Sequence, residues 1–244
     1  MEAHKRLDIV ISQLANISRS AAKELIITGK TRVNGVVIVK PGAQISTGDN
    51  VEYLLPEISY VSRGGHKLAA ALDNFHIDLL GRICLDIGAS TGGFTDCMLH
   101  RGAVFVHALD VGTAQLHPTL RADTRVRSLE NTNILDVPPD GFTPVPSFAT
   151  IDVSFVSAAK ILPHVANLDG IEQIVVLVKP QFECGRAALN KRGIVIDERA
   201  HKQAVINITS AGKNAGLRAA GICESPIKGG DGNTEYLALF DRML

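Results

Sequence analysis

The chain has 244 residues, 45% apolar, with 22 glycines, 5% aromatics and no tryptophan, which fits one large domain, or a medium one beside a small one, around an aliphatic core. Its 25 basic and 25 acidic residues give a formal net charge of +0, so any nucleic-acid role needs a local basic face. Cys84, Cys97, Cys184 and Cys223 form no C-x-x-C pair, which argues against zinc, and no apolar run reaches the roughly 18 residues that a membrane span requires.

The start, "MEAHKRLDIV", lacks the apolar core of a signal peptide. Together with the free thiols, that predicts the cytoplasm. "KRLDIVISQL" carries a helical stripe of Leu7, Ile9, Val10, Ile11 and Leu14. In "ISRSAAKELIITGK", Ser18 is the expected N-cap and Gly29 the C-cap, with Ala21, Ala22, Leu25 and Ile26 on one face. "TRVNGVVIVK" predicts a hairpin turning at Asn34-Gly35, and "KPGAQISTGDNVEYL" supplies one or two more short strands.

Basic residues in this segment are Lys5, Arg6, Arg19, Lys23, Lys30, Arg32 and Lys40, nearly balanced by Glu2, Asp8, Glu24, Asp49, Glu52 and Glu57. On composition alone, a solvated surface and an RNA face stand level. The order Arg6-Leu7-Asp8, Ser18-Arg19, Ala22, Leu25-Ile26, Gly29, Val33-Asn34-Gly35, Lys40-Pro41-Gly42 resembles the small RNA-binding domain of ribosomal protein S-four. That resemblance implies an α+β domain over residues 1–57 gripping structured RNA through its helical face. Lys5, Arg6, Ser18, Arg19, Lys23 and Lys30 are its candidate contacts.

The proline-containing "LLPEISYV" reads as a hinge, and residues 58–244 form the second domain. Here apolar strands alternate with helical stretches. The strands are "RICLDIG" (82–88), "AVFVHALDVG" (103–112), "TRVRSLE" (124–130), "FATIDVSF" (148–155), "QIVVLVKP" (173–180), "GLRAAGICES" (216–225) and "EYLALF" (235–240). Helices fill "GGHKLAAALDNF", "GGFTDCMLHRG", "VSAAKILPHVANL" and "DERAHKQAVINITSAGKNAG". Such alternation predicts an α/β fold doubly wound around a mostly parallel sheet; seven strands are expected, the last antiparallel if it is to bring Glu235 to the ligand edge.

"CLDIGASTGGFTD" (84–96) joins the first strong strand to a helix. Glycines at such a turn let a ligand approach the backbone and the helix N-terminus. Two readings compete: a damaged dinucleotide fingerprint through Gly88, Ser90 and Gly93, or the first motif of S-adenosylmethionine methyltransferases through Asp86, Gly88, Ser90 and Gly92. The acid at the strand end favours the second. The loop candidates are therefore Asp86, Gly88, Ala89, Ser90, Thr91, Gly92, Gly93 and Phe94. Asp110, ending the next strand beside Val111, suits the ribose hydroxyls of an adenosine in either reading. Asn131, Thr132 and Asn133 follow the third strand, as an adenine contact or as a polar turn.

Ligands of open α/β sheets bind beyond the carboxyl ends of the strands. Asp152 and Lys179 end strands, and Glu235 opens the last one, which must be antiparallel to bring it to the same edge. Lys67 sits near a helix start. Singly, each reads as a charge reaching solvent, Lys179 included, with its long stem on a buried strand. Together they suit methylation of an alcohol. A lysine in a dry pocket or beside a second cation can take or share the hydroxyl proton. Lys67 beside Lys179 would supply that cation, Asp152 would place Lys179, and Glu235 would align Lys67 or the hydroxyl. Ser62-Arg63 is a candidate phosphate contact, and "SPIKGGDGN" (225–233) is a loop that could close over substrate.

The K-D-K-E order of Lys67, Asp152, Lys179 and Glu235 is similar to that of FtsJ-type RNA 2′-O-methyltransferases. "YVSRGGHKL", "CLDIGASTGGFTDC", "ALDVGTAQL", "DVSFVS", "LVKPQFE", "KRGIVIDE" and "GNTEYL" narrow the match. With the N-terminal segment, they make the chain resemble the TlyA family along nearly its full length. The resemblance implies a cytidine 2′-O-methyltransferase using S-adenosylmethionine on 16S and/or 23S ribosomal RNA, with whole subunits or particles as substrate; no metal and no obligate protein partner are expected. It also brings the family's other description, haemolysin. A membrane-active haemolysin, a non-catalytic RNA-binding protein and an NAD-dependent enzyme are the competing readings.

Overall fold

A computed structural model of the chain describes residues 5–15, 19–54, 60–229 and 232–243. Tertiary contacts divide the chain into two compact units, Met1–Ile58 and Ser59–Leu244. The boundary expected after residue 57, and Ser18 with its two expected roles, fall outside the described residues.

In the first unit, β1 (Lys5–Arg6) runs directly into α1 (Leu7–Leu14), and α2 (Arg19–Ile27) follows. Leu7 and Ile11 on α1 are buried against Ala22, Leu25 and Ile26 on α2, the spacing that puts apolar side chains on one helical face. Gly29 ends α2 at a φ of +72°, where only glycine is unstrained. Next come β2 (Thr31–Val33) and β3 (Val36–Val37). Asn34 and Gly35 between them both have positive φ, +51° and +80°, as a two-residue hairpin turn of the primed type requires. β4 (Gln44–Ile45) pairs with β1, and β5 (Val51–Tyr53) pairs with β2. Val33 and Ile45 complete the small core.

The second unit opens with α3 (Gly64–Asn74), β6 (Ile83–Ile87), α4 (Gly93–His100) and β7 (Phe105–Leu109). It continues through α5 (Pro118–Arg121), β8 (Val126–Leu129), β9 (Phe148–Ile151), α6 (Ala158–Ala166) and β10 (Gln173–Val178). α7 (Pro180–Glu183), α8 (Glu198–Asn214), β11 (Leu217–Glu224) and β12 (Tyr236–Arg242) complete it. The seven strands lie in the order β11-β12-β10-β9-β6-β7-β8. β10, β9, β6, β7 and β8 are mutually parallel, whereas β12 runs antiparallel to both of its neighbours.

Sheet position explains the unbroken apolar strands. Ile174, Val176 and Val178 pack on one face with Ile161, Leu162 and Ile208. Val175 and Leu177 pack on the other with Leu68, Leu72 and Met98. Both faces are covered, so alternation with polar residues disappears. Because β12 is reversed, its first residues reach the edge where β6, β7, β9 and β10 end. β12 starts at Tyr236, so Glu235 precedes that strand rather than opening it. α5 and α7 were not foreseen. Pro180 starts α7, where its fixed φ and missing N–H suit a first helical position. Among the described residues, no helix is long and apolar enough to cross a membrane, and no cluster of three or more His, Cys, Asp or Glu could hold a metal ion.

Candidate active site

The turn after β6 is built from backbone that few residues tolerate. Gly88 has a φ of +83° and Gly92 one of +94°. A β-carbon on Gly88 would strike the Asp152 carbonyl oxygen, so this glycine lets the ends of β6 and β9 approach each other. One on Gly93 would meet the Ser62 hydroxyl and the Gly65 amide, where the starts of α4 and α3 approach. Ser90 holds a φ of +49°, and its amide donates to the Asp110 carboxylate at 2.7 Å. The Gly112 amide donates to the other Asp110 oxygen, also at 2.7 Å. Asp110 is thus aimed by two backbone amides, and each oxygen keeps a second lone pair.

A cleft of about 610 Å3 opens at this strand edge. Gly88, Ser90, Asp110, Val111, Asn133 and Asp152 line it, with Ile134, Leu135, Val156 and Ile161 as apolar wall. A second hollow of about 220 Å3 adjoins it, sharing Gly88, Ser90 and Asp152. Its remaining walls include Arg63, Lys67, Ala89, Thr91, Gly93 and Phe94.

Three expected cofactor residues are placed elsewhere. Asp86 is wholly buried beneath the loop, and its oxygens accept the hydroxyls of Thr95 at 2.7 Å and Thr150 at 2.9 Å. Burial pushes its carboxyl up to about 6, against the pull of the two hydroxyls. It ties β6, α4 and β9 together and lines neither hollow. Gly92 faces Leu116 and Leu120 rather than the cleft. The Thr132 hydroxyl turns back to the Glu130 carbonyl at 3.0 Å, while its neighbour Asn133 lines the cleft.

The four charged residues form two pairs. Lys67 Nζ lies 2.5 Å from Glu235 Oε2, with the side chains 12% and 3% exposed. Lys179 Nζ lies 2.7 Å from Asp152 Oδ1, with side chains 11% and 22% exposed. The second contact is an ion pair by proximity rather than an aligned hydrogen bond, because Oδ1 has no well-directed donor. The aligned donation from Lys179 goes to Ser154 Oγ at 2.9 Å. Each lysine therefore has its own carboxylate, and Asp152 belongs to both the cleft and the lysine. Glu235 is backed by Gly229, where a β-carbon would overlap its Oε1. Buried Asn233 pins the preceding loop, accepting from the Val195 amide at 2.9 Å and donating to the Gly193 carbonyl at 3.0 Å.

Sequence reasoning passed over several cleft residues. Phe155 is 92% exposed, holds a φ of +65°, and lies 5.4 Å ring to ring from Phe182. Lys160 and Gln115 also line the cleft. Ser154 and Phe155 stand in the quoted "DVSFVS", one and two places past Val153. The rule that singled out Asp152 could have reached them.

In the first unit, Arg6 and Arg19 converge on the buried Asp8 carboxylate at 3.0 and 3.1 Å. The Arg6 guanidinium, then that of Arg19, holds that carboxyl down at about 2, against the opposing effect of burial. Both guanidiniums stay about half exposed, 42% and 52%. Lys23 lies one turn past Arg19 on α2, and Lys5, Lys23 and Lys30 are exposed. Arg63 belongs to the second unit and is exposed just ahead of α3.

Two family models match the chain: FtsJ-like methyltransferase over residues 60–242 and S4 domain over residues 5–51. Hemolysin A of Brachyspira hyodysenteriae is 44% identical over 225 residues, covering 91% of this chain and 93% of that protein. The 16S/23S rRNA (cytidine-2'-O)-methyltransferase TlyA of Mycobacterium tuberculosis is 41% identical over 221 residues, covering 90% and 82%. A hemolysin-named structure from Streptococcus thermophilus superposes with a TM-score of 0.73 at 41% identity, covering 100% of this chain and 90% of that one.

Proposed function

This chain belongs to the FtsJ-like methyltransferase family, and from that premise we propose that it methylates a cytidine ribose 2′-hydroxyl of ribosomal RNA. The observation that carries the reading is the placement of two lysine–carboxylate pairs at the strand edge that holds the cleft. The TlyA relative that acts on 16S and 23S rRNA supports the substrate.

The cleft fits S-adenosylmethionine. Asp110 offers a carboxylate for paired ribose hydroxyls, the apolar wall suits an adenine, and the Gly88 turn leaves backbone open to close approach. When bound, the cofactor supplies an electrophilic methyl group on a sulfonium sulfur. Asp152, at the junction of both hollows, complements that positive charge. Lys179, held by Asp152 and Ser154, orients the ribose hydroxyl, and would take its proton as the oxygen attacks after passing one of its own to the Asp152 carboxylate. Glu235 fixes Lys67 in the smaller hollow. Most of the acceleration comes from in-line placement. Phe155, an exposed aromatic beside Lys179's helix, offers a stacking face to a base turned out of its helix.

The residues divide between two tasks. Lys5, Arg6, Arg19, Lys23 and Lys30 hold rRNA by its phosphates and shape, with residues 1–57 as the RNA-binding domain. Residues 58–244 carry the transfer and Arg63 adds a phosphate contact.

Purified protein, labelled S-adenosylmethionine and ribosomal subunits test the reading. Label mapped by mass spectrometry to 2′-O-methylcytidine is the expected result; label on a base, or on no RNA, sinks it. Lys179→Met serves as the control. Its transfer rate drops by at least about 100-fold, while the cofactor dissociation constant from calorimetry stays within about threefold, since Lys179 does not line the cleft.

A further inference from the structure

The segment after β10 grips the segment after β9 at successive points. Lys179 meets Asp152 and Ser154. Phe182 meets Phe155 ring to ring at 5.4 Å. Glu183 then closes the seam. One of its carboxylate oxygens accepts the Ser157 hydroxyl at 2.6 Å and the other accepts the Ala158 amide at 2.7 Å. Ala158 is the first residue of α6, and Ser157, its N-cap, makes no side-chain cap of its own. Glu183 therefore caps α6 from another element, satisfying an orphan amide and placing negative charge at the helix start.

The loop between β9 and α6 needs such a clamp. Phe155 holds a left-handed backbone at +65° with its ring 92% exposed. A bulky residue in that region is strained and persists only when its surroundings impose it. Beyond its contact with Phe182, packing of the Phe155 ring imposes little, because the residue is 92% exposed. The impositions are the two ends of the loop: Asp152 leaving β9, and Ser157–Ala158 bonded to Glu183. Glu183 touches none of the groups assigned to the reaction. Its two partners lie on the loop that carries both of Lys179's polar contacts.

We propose that Glu183 is a positioning residue for the methyl-transfer step, holding the loop of Asp152, Ser154 and Phe155 in register with Lys179 by capping α6. This rests on the proposed 2′-O-methyl transfer and adds a further positioning residue to that site. Most of the cofactor wall, including Gly88, Ser90, Asp110, Ile134 and Leu135, lies outside the clamped loop, which contributes residues 152–156, so the clamp governs the rate more than cofactor affinity.

The test is steady-state transfer to ribosomal subunits by the full-length protein, with cofactor titration and a thermal midpoint for each variant. Glu183→Ala lowers kcat by at least about tenfold, while the cofactor dissociation constant and the KM for subunits move less than about threefold. Glu183→Gln keeps an oxygen for the Ala158 amide and an NH2 that can donate to Ser157, so it recovers most of the lost rate. Ser157→Ala, which removes one of the two bonds, falls between Ala and wild type. If Glu183→Ala unfolds, the Gln and Ser157→Ala variants carry the same comparison. A wild-type protein that transfers no methyl overturns the function and this inference with it. Transfer by wild type at a rate that Glu183→Ala retains overturns this inference alone. So does a fall in kcat matched by weaker cofactor binding, with Gln no better than Ala.

Discussion

Asp86 shows what one buried carboxylate costs and what it holds. It has no exposed surface, its side-chain partners among the described residues are the Thr95 and Thr150 hydroxyls, and burial raises it to about 6 from 3.8. The folded state thus binds the proton more tightly than the open chain. This residue's contribution to stability is highest below pH 4 and falls as pH rises to about 6, by about 3 kcal/mol in total. Asp86→Asn removes that titration. The variant's thermal midpoint, measured from pH 4 to 7, falls less steeply with pH than the wild type's; parallel curves would refute the assignment. The residue type was readable at the strand end, but its direction was not. A D-x-G motif does not say whether the acid faces a ligand or lies beneath the turn. The answer depends on Thr95 and Thr150, 9 and 64 residues away in the chain. The position of Lys179 was legible, because an uninterrupted apolar run fixed where its strand had to end.

Elements with strong local codes were legible, and those held by distant partners were not. The Asn34-Gly35 hairpin needs positive φ twice in succession, and the sequence supplies the two residues that tolerate it. The parallel strands announced themselves by apolar runs. α7 and the cap of α6 stayed hidden: one is four residues long, and the other depends on Glu183, 25 residues beyond Ala158. The start of α1 is a further case. Asp8 lies in its first turn, wholly buried, where a carboxylate suits the helix dipole, and it also gathers Arg6 and Arg19 from β1 and α2. Its lowered titration means that this support is fully present above about pH 4 and is lost as pH falls through about 2. Asp8→Asn leaves two guanidiniums without their anion. Amide hydrogen exchange in the full-length protein at pH 7 reads the effect: protection of α1 and α2 falls by about tenfold or more, while β6 and β10 keep theirs. Loss of protection in both units together would mean that Asp8 supports more than its own helix pair.

The whole chain is electrically neutral, so RNA affinity cannot come from its overall field. It must come from local charge, and in the first unit that charge is partly committed. Arg6 and Arg19 each spend one side of the guanidinium on Asp8, which fixes their orientation and still leaves them about half exposed. A guanidinium presents five N–H donors, so an arginine tethered to Asp8 can still face a phosphate. Lys23, exposed one turn away, makes no such ion pair among the described residues. If residues 1–57 hold the rRNA while the second unit carries the chemistry, the two tasks separate kinetically. Lys23→Ala in the full-length protein raises the KM for ribosomal subunits and lowers the salt dependence of binding by about one counterion, but leaves kcat unchanged. Arg19→Ala raises KM further, because Asp8 is then left with Arg6 alone. Rates measured across a series of salt concentrations decide the matter. A fall in kcat at saturating subunits would show that the first unit shapes the transfer step itself, and that the division of labour proposed here is wrong.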